Sequence, residues 1–285
     1  MKYSNPEIPE GINTSKQHPL KEFVLLTGGV ISIIAIAVLL LGLLADRLAH
    51  YIPFEIETQM AEGRLPEVIE DGPMQSYLDD LTQRIVAVQA FPPDMQVTVH
   101  YLDNETVNAF ATLGGNVFMF RGLLEKLPNE NAVAMVLAHE IAHIKHRHPV
   151  RSMGRGIAIA LALTMVSTSL GDVMVDRIVG NTGSLTALTF SRDQEREADA
   201  TALDSLMNLY GHVGGADDLF KTLKNEAGML EMPEFFSTHP ISENRINRIH
   251  VFSEESTTPD KEAVITPLPV GFAQWLNVVD DEGVY

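Results

Sequence analysis

Two histidines and a glutamate within residues 134–148 (AMVLAHEIAHIKHRH) have the spacing that chemistry on a metal ion requires. In a helix, residues four apart share a face, so His139 and His143 can grip one ion together. Glu140 follows the first of them and can reach a water on that ion without binding the ion itself, which is the HExxH arrangement. The flanking residues strengthen this reading. Val133, Ala134, Met135, Val136, Leu137, Ala138, Ile141, Ala142 and Ile144 make the helix apolar almost all round, so it should be buried. Ionisable side chains on a buried helix need partners, and a metal supplies them.

A catalytic zinc ion usually takes three protein ligands and leaves a fourth position for water. His146 lies on roughly the same face, but the extended metzincin pattern fails: position 146 is His where Gly is needed, and position 149 is Pro where His is needed. The preferred third ligand comes from residues 191–203 (SRDQEREADATAL). There Glu195 and Asp199 are four apart on a predicted helix. Glu195 can ligate, while Asp199 can accept a hydrogen bond from the ring nitrogen that a ligand histidine leaves free. Glu197 and His146 remain the alternative ligands; His146, His148 and His212 are otherwise expected to be solvated or locally bonded.

The elements that must position these groups follow from the rest of the chain. Asn129 can cap a helix running to about His146, with Pro149 discouraging its continuation. A helix is expected over residues 74–90, and strands over 95–101, 107–111 and 117–120, the last two joined through Gly114 and Gly115. Two further helices are expected over 191–209 and 241–252. The apolar stretch 157–170 is too short to span a bilayer comfortably and reads as a core helix or one lying at a membrane surface. Residues 1–22 form a polar tail and 23–45 an uncharged run long enough to cross a bilayer as a transmembrane helix that contacts lipid. It exceeds the apolar core of a signal peptide and lacks a convincing cleavage site, so it reads as a retained anchor. Lys2, Lys16 and Lys21 before it, against Arg47 and Arg64 after it, lean towards an exported main domain. Residues 46–73 read as a linker, 74–252 as the main domain and 253–285 as an acidic tail with an apolar island at Phe272 and Trp275.

Bulk properties exclude whole classes of function. The formal net charge of −18 would repel phosphates and argues against a nucleic-acid partner. Cysteine is absent, so there is no disulfide, thiolate nucleophile or Cys-ligated metal.

Taken in order, HEIAH, SRDQEREAD and THPISENRI (residues 238–246), with NAFATLGGNVFMFRGLL (108–124) upstream, resemble the M48 family of membrane-associated metallopeptidases. The similarity covers roughly residues 70–250. It implies an α+β, mainly helical, zincin-like fold with a small edge sheet, one Zn2+ held by His139, His143 and Glu195, and Glu140 as base. Only one clear span is present, whereas the CAAX-processing and HtpX-type branches have several, which favours the single-anchor bacterial quality-control branch. The resemblance thus implies a zinc endopeptidase in a bacterial inner membrane, its domain periplasmic, acting on polypeptide substrates that are unfolded or misassembled. A metal-binding holdase with little proteolysis is the alternative. His239, with Arg245 following as a second-shell group, is the candidate oxyanion donor or, alternatively, a resting-state zinc ligand. The strand at Asn108, Ala109 and Phe110 could pair with an extended substrate.

Overall fold

A computed structural model describes residues 19–49, 51–63, 65–66, 68–69, 71–164, 189–226, 234–239, 243–256 and 263–276. The first apolar run forms one uninterrupted helix, α1 (Pro19–Ala49). At 1.5 Å per residue its 31 residues cover about 46 Å, more than a hydrocarbon core of roughly 30 Å. It extends beyond the expected 23–45 because the charged residues at either end, such as Lys21 and Asp46, are good or tolerable helix formers at helix termini. Among the described residues it is the one helix long and apolar enough to cross a membrane.

The region expected to be a linker contains a helix, α2 (Phe54–Ala61), whose buried Phe54 and Ala61 face the turn of 3-10 helix at Leu113–Gly115. Next come α3 (Pro73–Gln89), β1 (Thr98–Leu102), β2 (Ala109–Ala111), β3 (Asn116–Phe120) and the short α4 (Arg121–Leu124). The sheet order is β1-β3-β2, with β1 parallel and β2 antiparallel to β3. Ala109 pairs with Met119 and Ala111 with Val117, which leaves β2 as an outer strand. One sheet face joins the main core with Val99, Val117 and Met119; the other carries stacked Phe110 and Phe118 with Phe120.

The catalytic-type motif lies on α5 (Glu130–Lys145), buried from Glu130 to Ile144. Asn129 caps it, its side chain accepting from the Ala132 N–H at 2.8 Å. The chain does not stop at Pro149. Arg147 takes a left-handed conformation (φ 59°), held by Glu57 and by the Ile52 carbonyl at 2.7 Å, and α6 (His148–Thr164) starts at once. Pro149 is tolerated because the first turn of a helix needs no N–H there. α6 covers the expected stretch 157–170 as far as Thr164; residues 165–170 lie outside those described.

Then follow α7 (Arg192–Tyr210), α8 (Asp218–Glu226), α9 (Glu234–Thr238), α10 (Glu243–Ser256) and α11 (Phe272–Trp275). The stretch expected to be a tail is in part structural. Residues 263–276 run back over the domain: Thr266 exchanges hydrogen bonds with Glu130 and Asn131, and Tyr101 Oη donates to the Leu276 carbonyl at 3.2 Å. Phe272 packs edge-on against Tyr77 with ring centres 5.7 Å apart. The apolar island at Phe272 and Trp275 is therefore a piece of core.

Gly115 has φ 80°, and a Cβ there would lie 1.9 Å from the Gln96 carbonyl oxygen. Any side chain must push the approach to β1 away from the turn. Gly115→Ala should lower stability by roughly 1–3 kcal/mol or more, read as a fall in the urea midpoint at unchanged m-value. An unchanged midpoint would mean that the turn relaxes freely.

Candidate metal centre

The cap at Asn129 fixes the register of α5 so that His139 and His143 face α7. At the start of α7, Ser191 accepts from the Gln194 N–H while the Gln194 side chain accepts from the Ser191 N–H, a reciprocal cap. That lock turns Glu195 and Asp199 towards α5. The two helices thereby bring together groups more than 50 residues apart.

Four donors converge: His139, His143, Glu195 and His239, all buried. His139 Nε2 is 3.0 Å from His143 Nε2, 3.5 Å from Glu195 Oε2 and 3.3 Å from His239 Nδ1. Glu195 Oε1 is 3.4 Å from His143 Nε2 and 3.0 Å from His239 Nδ1. Donors at the corners of a tetrahedron around a zinc ion, with bonds of about 2.0–2.1 Å, stand roughly 3.3–3.4 Å apart. The cluster therefore has the dimensions of such a site. Its charge fits as well. The buried groups around it comprise three carboxyls, Glu140, Glu195 and Asp199, against one guanidinium, Arg245. With all three ionised, a divalent cation makes up the difference.

The outer ring nitrogens of both helix histidines are engaged. His139 Nδ1 is 3.1 Å from Asp199 Oδ1, as the four-residue spacing from Glu195 predicts. Arg245 grips Asp199 with two bonds of 2.9 and 2.7 Å and reaches Glu195 Oε2 at 3.0 Å, so one guanidinium braces both acids. On the other side, His143 Nδ1 is 2.8 Å from His148 Nδ1, and His148 Nε2 is 3.1 Å from Glu197 Oε2. With Nε2 of His143 turned into the cluster, its Nδ1 carries the hydrogen, His148 Nδ1 accepts it and His148 Nε2–H donates to Glu197. Phe190 stacks on His143 with centres 3.9 Å apart, and Phe235 on His239 at 4.9 Å.

The protonation of these groups follows their surroundings. Burial alone would strip His139 of its proton, but the bonds to Asp199 and Glu195 override it and raise its pKa from 6.5 to about 10. Burial pushes His143 down to about 3 and, with His143 beside it, His148 to about 2. Glu195 and Asp199 are held well below the usual carboxylate range: burial opposes this, but the neighbouring histidines, with Arg245 at Asp199, prevail. Asp199 and Glu195 thus favour a proton on His139, which a bound cation would displace.

The alternative ligands point elsewhere. His146 bonds Thr201 at 2.8 Å and Glu197 at 3.2 Å, outside the cluster. His212 accepts locally from the Gly214 N–H at 3.1 Å and donates to the distant Val264 carbonyl. His239 sits at the fourth corner, the geometry of the resting-ligand alternative. Asn108, Ala109 and Phe110 lie on and just before the outer strand β2, with Val107 O accepting from Phe235 N at the base of α9. Sequence reasoning missed the link from His143 through His148 to Glu197. The available signal was the histidine-rich run 143–148, which a search for helical spacing passes over.

Residues 74–252 match the model of peptidase family M48. The mitochondrial metalloendopeptidase OMA1 of Schizosaccharomyces pombe is 29% identical over 216 residues, covering 72% of this chain and 63% of that protein. A putative beta-barrel assembly-enhancing protease of Vibrio cholerae is 29% identical over 191 residues, and the beta-barrel assembly-enhancing protease of Escherichia coli 27% over 192. In each bacterial case 63% of this chain and 39% of the relative are covered.

Metal titration separates ligands from their supports. Glu195→Ala should lose zinc and not regain it in excess metal. Asp199→Ala and His148→Ala should each weaken binding by about 10–100-fold yet load when zinc is abundant. Equal affinities for all three variants would show that Glu195 is not a ligand.

Proposed function

Because the chain belongs to peptidase family M48, we propose that it is a membrane-anchored zinc endopeptidase that cuts unfolded or misassembled membrane and envelope proteins. The observation that carries this reading is Glu140. Its carboxyl group is fully buried, yet neither oxygen has a hydrogen-bond partner among the described residues; His239 Nε2 stands 3.5 Å from Oε1. A carboxylate kept so at a cost to stability is one reserved for chemistry.

A zinc ion bound by His139, His143 and Glu195 supplies Lewis acidity, which activates water and polarises the scissile carbonyl. Glu140 takes a proton from the attacking water and delivers it to the leaving nitrogen. Asp199 and His148 keep the two ligand rings oriented, and Arg245 holds Asp199 and Glu195 in place. His239 Nδ1 lies beside His139 Nε2 and Glu195 Oε1 in the arrangement found, so with zinc bound the His239 ring would have to leave room for water. Its Nε2, on the Glu140 side, then donates to the oxyanion. An extended substrate adds to the sheet edge through the main chain of Asn108, Ala109 and Phe110, a mode that tolerates many sequences.

On this reading the peptidase domain lies on the periplasmic side of a bacterial inner membrane, a location that α1 and the lysine bias before it support. The relatives named above are called a mitochondrial metalloendopeptidase and beta-barrel assembly-enhancing proteases, which fits work on membrane and envelope proteins.

Glu140→Gln should keep near-stoichiometric zinc while casein cleavage falls by at least about 100-fold. Loss of zinc in that variant would give Glu140 the wrong role, and retained cleavage would exclude it as base. A reporter active only outside the cytoplasm, fused after Tyr285, should be active. A well-expressed but silent fusion would reverse the orientation.

A further inference from the structure

Helix α6 does not pack on the domain core alone; it runs back along α1. Near its start, Val150 and Met153 cluster with Ala49. One turn on, a Cβ at Gly154 would lie 3.4 Å from the Ala45 Cβ, and Arg155 and Arg151 meet Asp46 at 2.7 and 3.5 Å. As numbers rise along α6 they fall along α1, so the helices are antiparallel. Continued to Thr164, this register carries α6 past Leu41 and Val38. The residues of α1 that are half-buried (Ile34, Ala37, Val38, Leu41, Gly42, Ala45) recur every three or four positions and form one stripe, while Leu39, Leu40, Leu43 and Leu44 beside it are open. At Gly154 a Cβ would also lie 4.0 Å from the Ala45 carbonyl oxygen, so the pair of small residues lets the backbones approach as paired membrane helices do.

We infer that α6 enters the bilayer beside α1, as a second, shorter membrane element whose outer face is covered by lipid acyl chains. The distribution of charge supports this. Asp46, Arg47, Arg151 and Arg155 lie at one level, and beyond Arg155 the sequence of α6 has no charged residue. Ile159, exposed on the outer face, comes level with Leu40 and Leu41 of the anchor. A helix lying along the interior half of a membrane span shares its solvent. The consequence for the metal centre is positional. His148, the first residue of α6, touches the ligand His143, and Arg155 also bonds Gln194 at 2.6 Å, next to the ligand Glu195. Arg151, on the charged level, lies three residues after His148, so the centre stands within about one helical turn of that level. This inference rests on α1 crossing a membrane, part of the reading above.

Because the chain has no cysteine and one tryptophan, single-site labels report without background. Spin labels at Ile159→Cys, Leu40→Cys and Val251→Cys would be compared in the full chain, in phosphatidylethanolamine–phosphatidylglycerol vesicles, by power saturation with oxygen and with a nickel chelate. Zinc content equal to that of the parent protein certifies each fold. Ile159 should match Leu40, accessible to oxygen and shielded from nickel, while Val251 on α10 shows the opposite. As a second reporter, Ile159→Trp with Trp275→Phe should be quenched by brominated acyl chains. Nickel access at Ile159 with Leu40 in lipid overturns the proposal and spares the anchor. Low access to both colliders, with no bromine quenching, means that protein, such as a second copy, covers the face, which overturns it too. Nickel access at Leu40 overturns the anchor and the proposal together.

Discussion

The fold is organised around a shortage of positive charge. Glu140, Glu195 and Asp199 are buried together, and Arg245 is the one buried guanidinium among the described residues that meets them. Carboxylates in a low-dielectric interior are costly unless compensated. Arg245 binds Asp199 with two bonds and Glu195 with a third, and the remaining deficit equals the charge of one divalent ion. Every nearby element serves this balance. α5 and α7 present the candidate ligands, α10 delivers the arginine, and the aromatic rings of Phe190 and Phe235 close the sides.

The two histidines from α5 are supported asymmetrically. His139 meets a carboxylate directly, whereas His143 meets one through the intervening ring of His148. The two rings lie on opposite sides of the ordinary histidine value: burial lowers both, but Asp199 and Glu195 raise His139, whereas at His143 burial prevails. Arg147 makes the second arrangement possible. Its left-handed turn, stapled to Glu57, folds the chain sharply enough for the first residue of one helix to reach the last turn of the previous one.

What was legible in the sequence is what depends on spacing within one helix. His139, Glu140 and His143 share a face by their numbers alone, and so do Glu195 and Asp199. Asn129 and Ser191 announced their helix starts. The three strands were visible too, though β1 begins at Thr98 and not at Met95, because no partner strand lies opposite the residues before it. The rest needed the chain to be folded. His148 lies five residues from His143, a separation that no regular helix turns to the same side, and only the break at Arg147 brings them together. Phe190, Glu57 and the return of α6 along α1 carry no local signature, since each depends on a partner distant in sequence. The acidic, proline-containing composition after residue 253 concealed a segment that packs.

That segment sets the order in which the molecule can be completed. Tyr101 bonds Leu276, and Glu130, the first residue of α5, receives its capping carbonyl from Thr266. Both contacts join stretches separated by more than 130 residues, and closing such loops comes late and slowly in folding. The helix that bears HExxH therefore lacks part of its final frame until residues 266–276 have been synthesised and docked. A nascent chain held by α1 would carry an unfinished centre until that stretch emerges. Competence would arrive as a single late event, timed by the docking of residues 263–276.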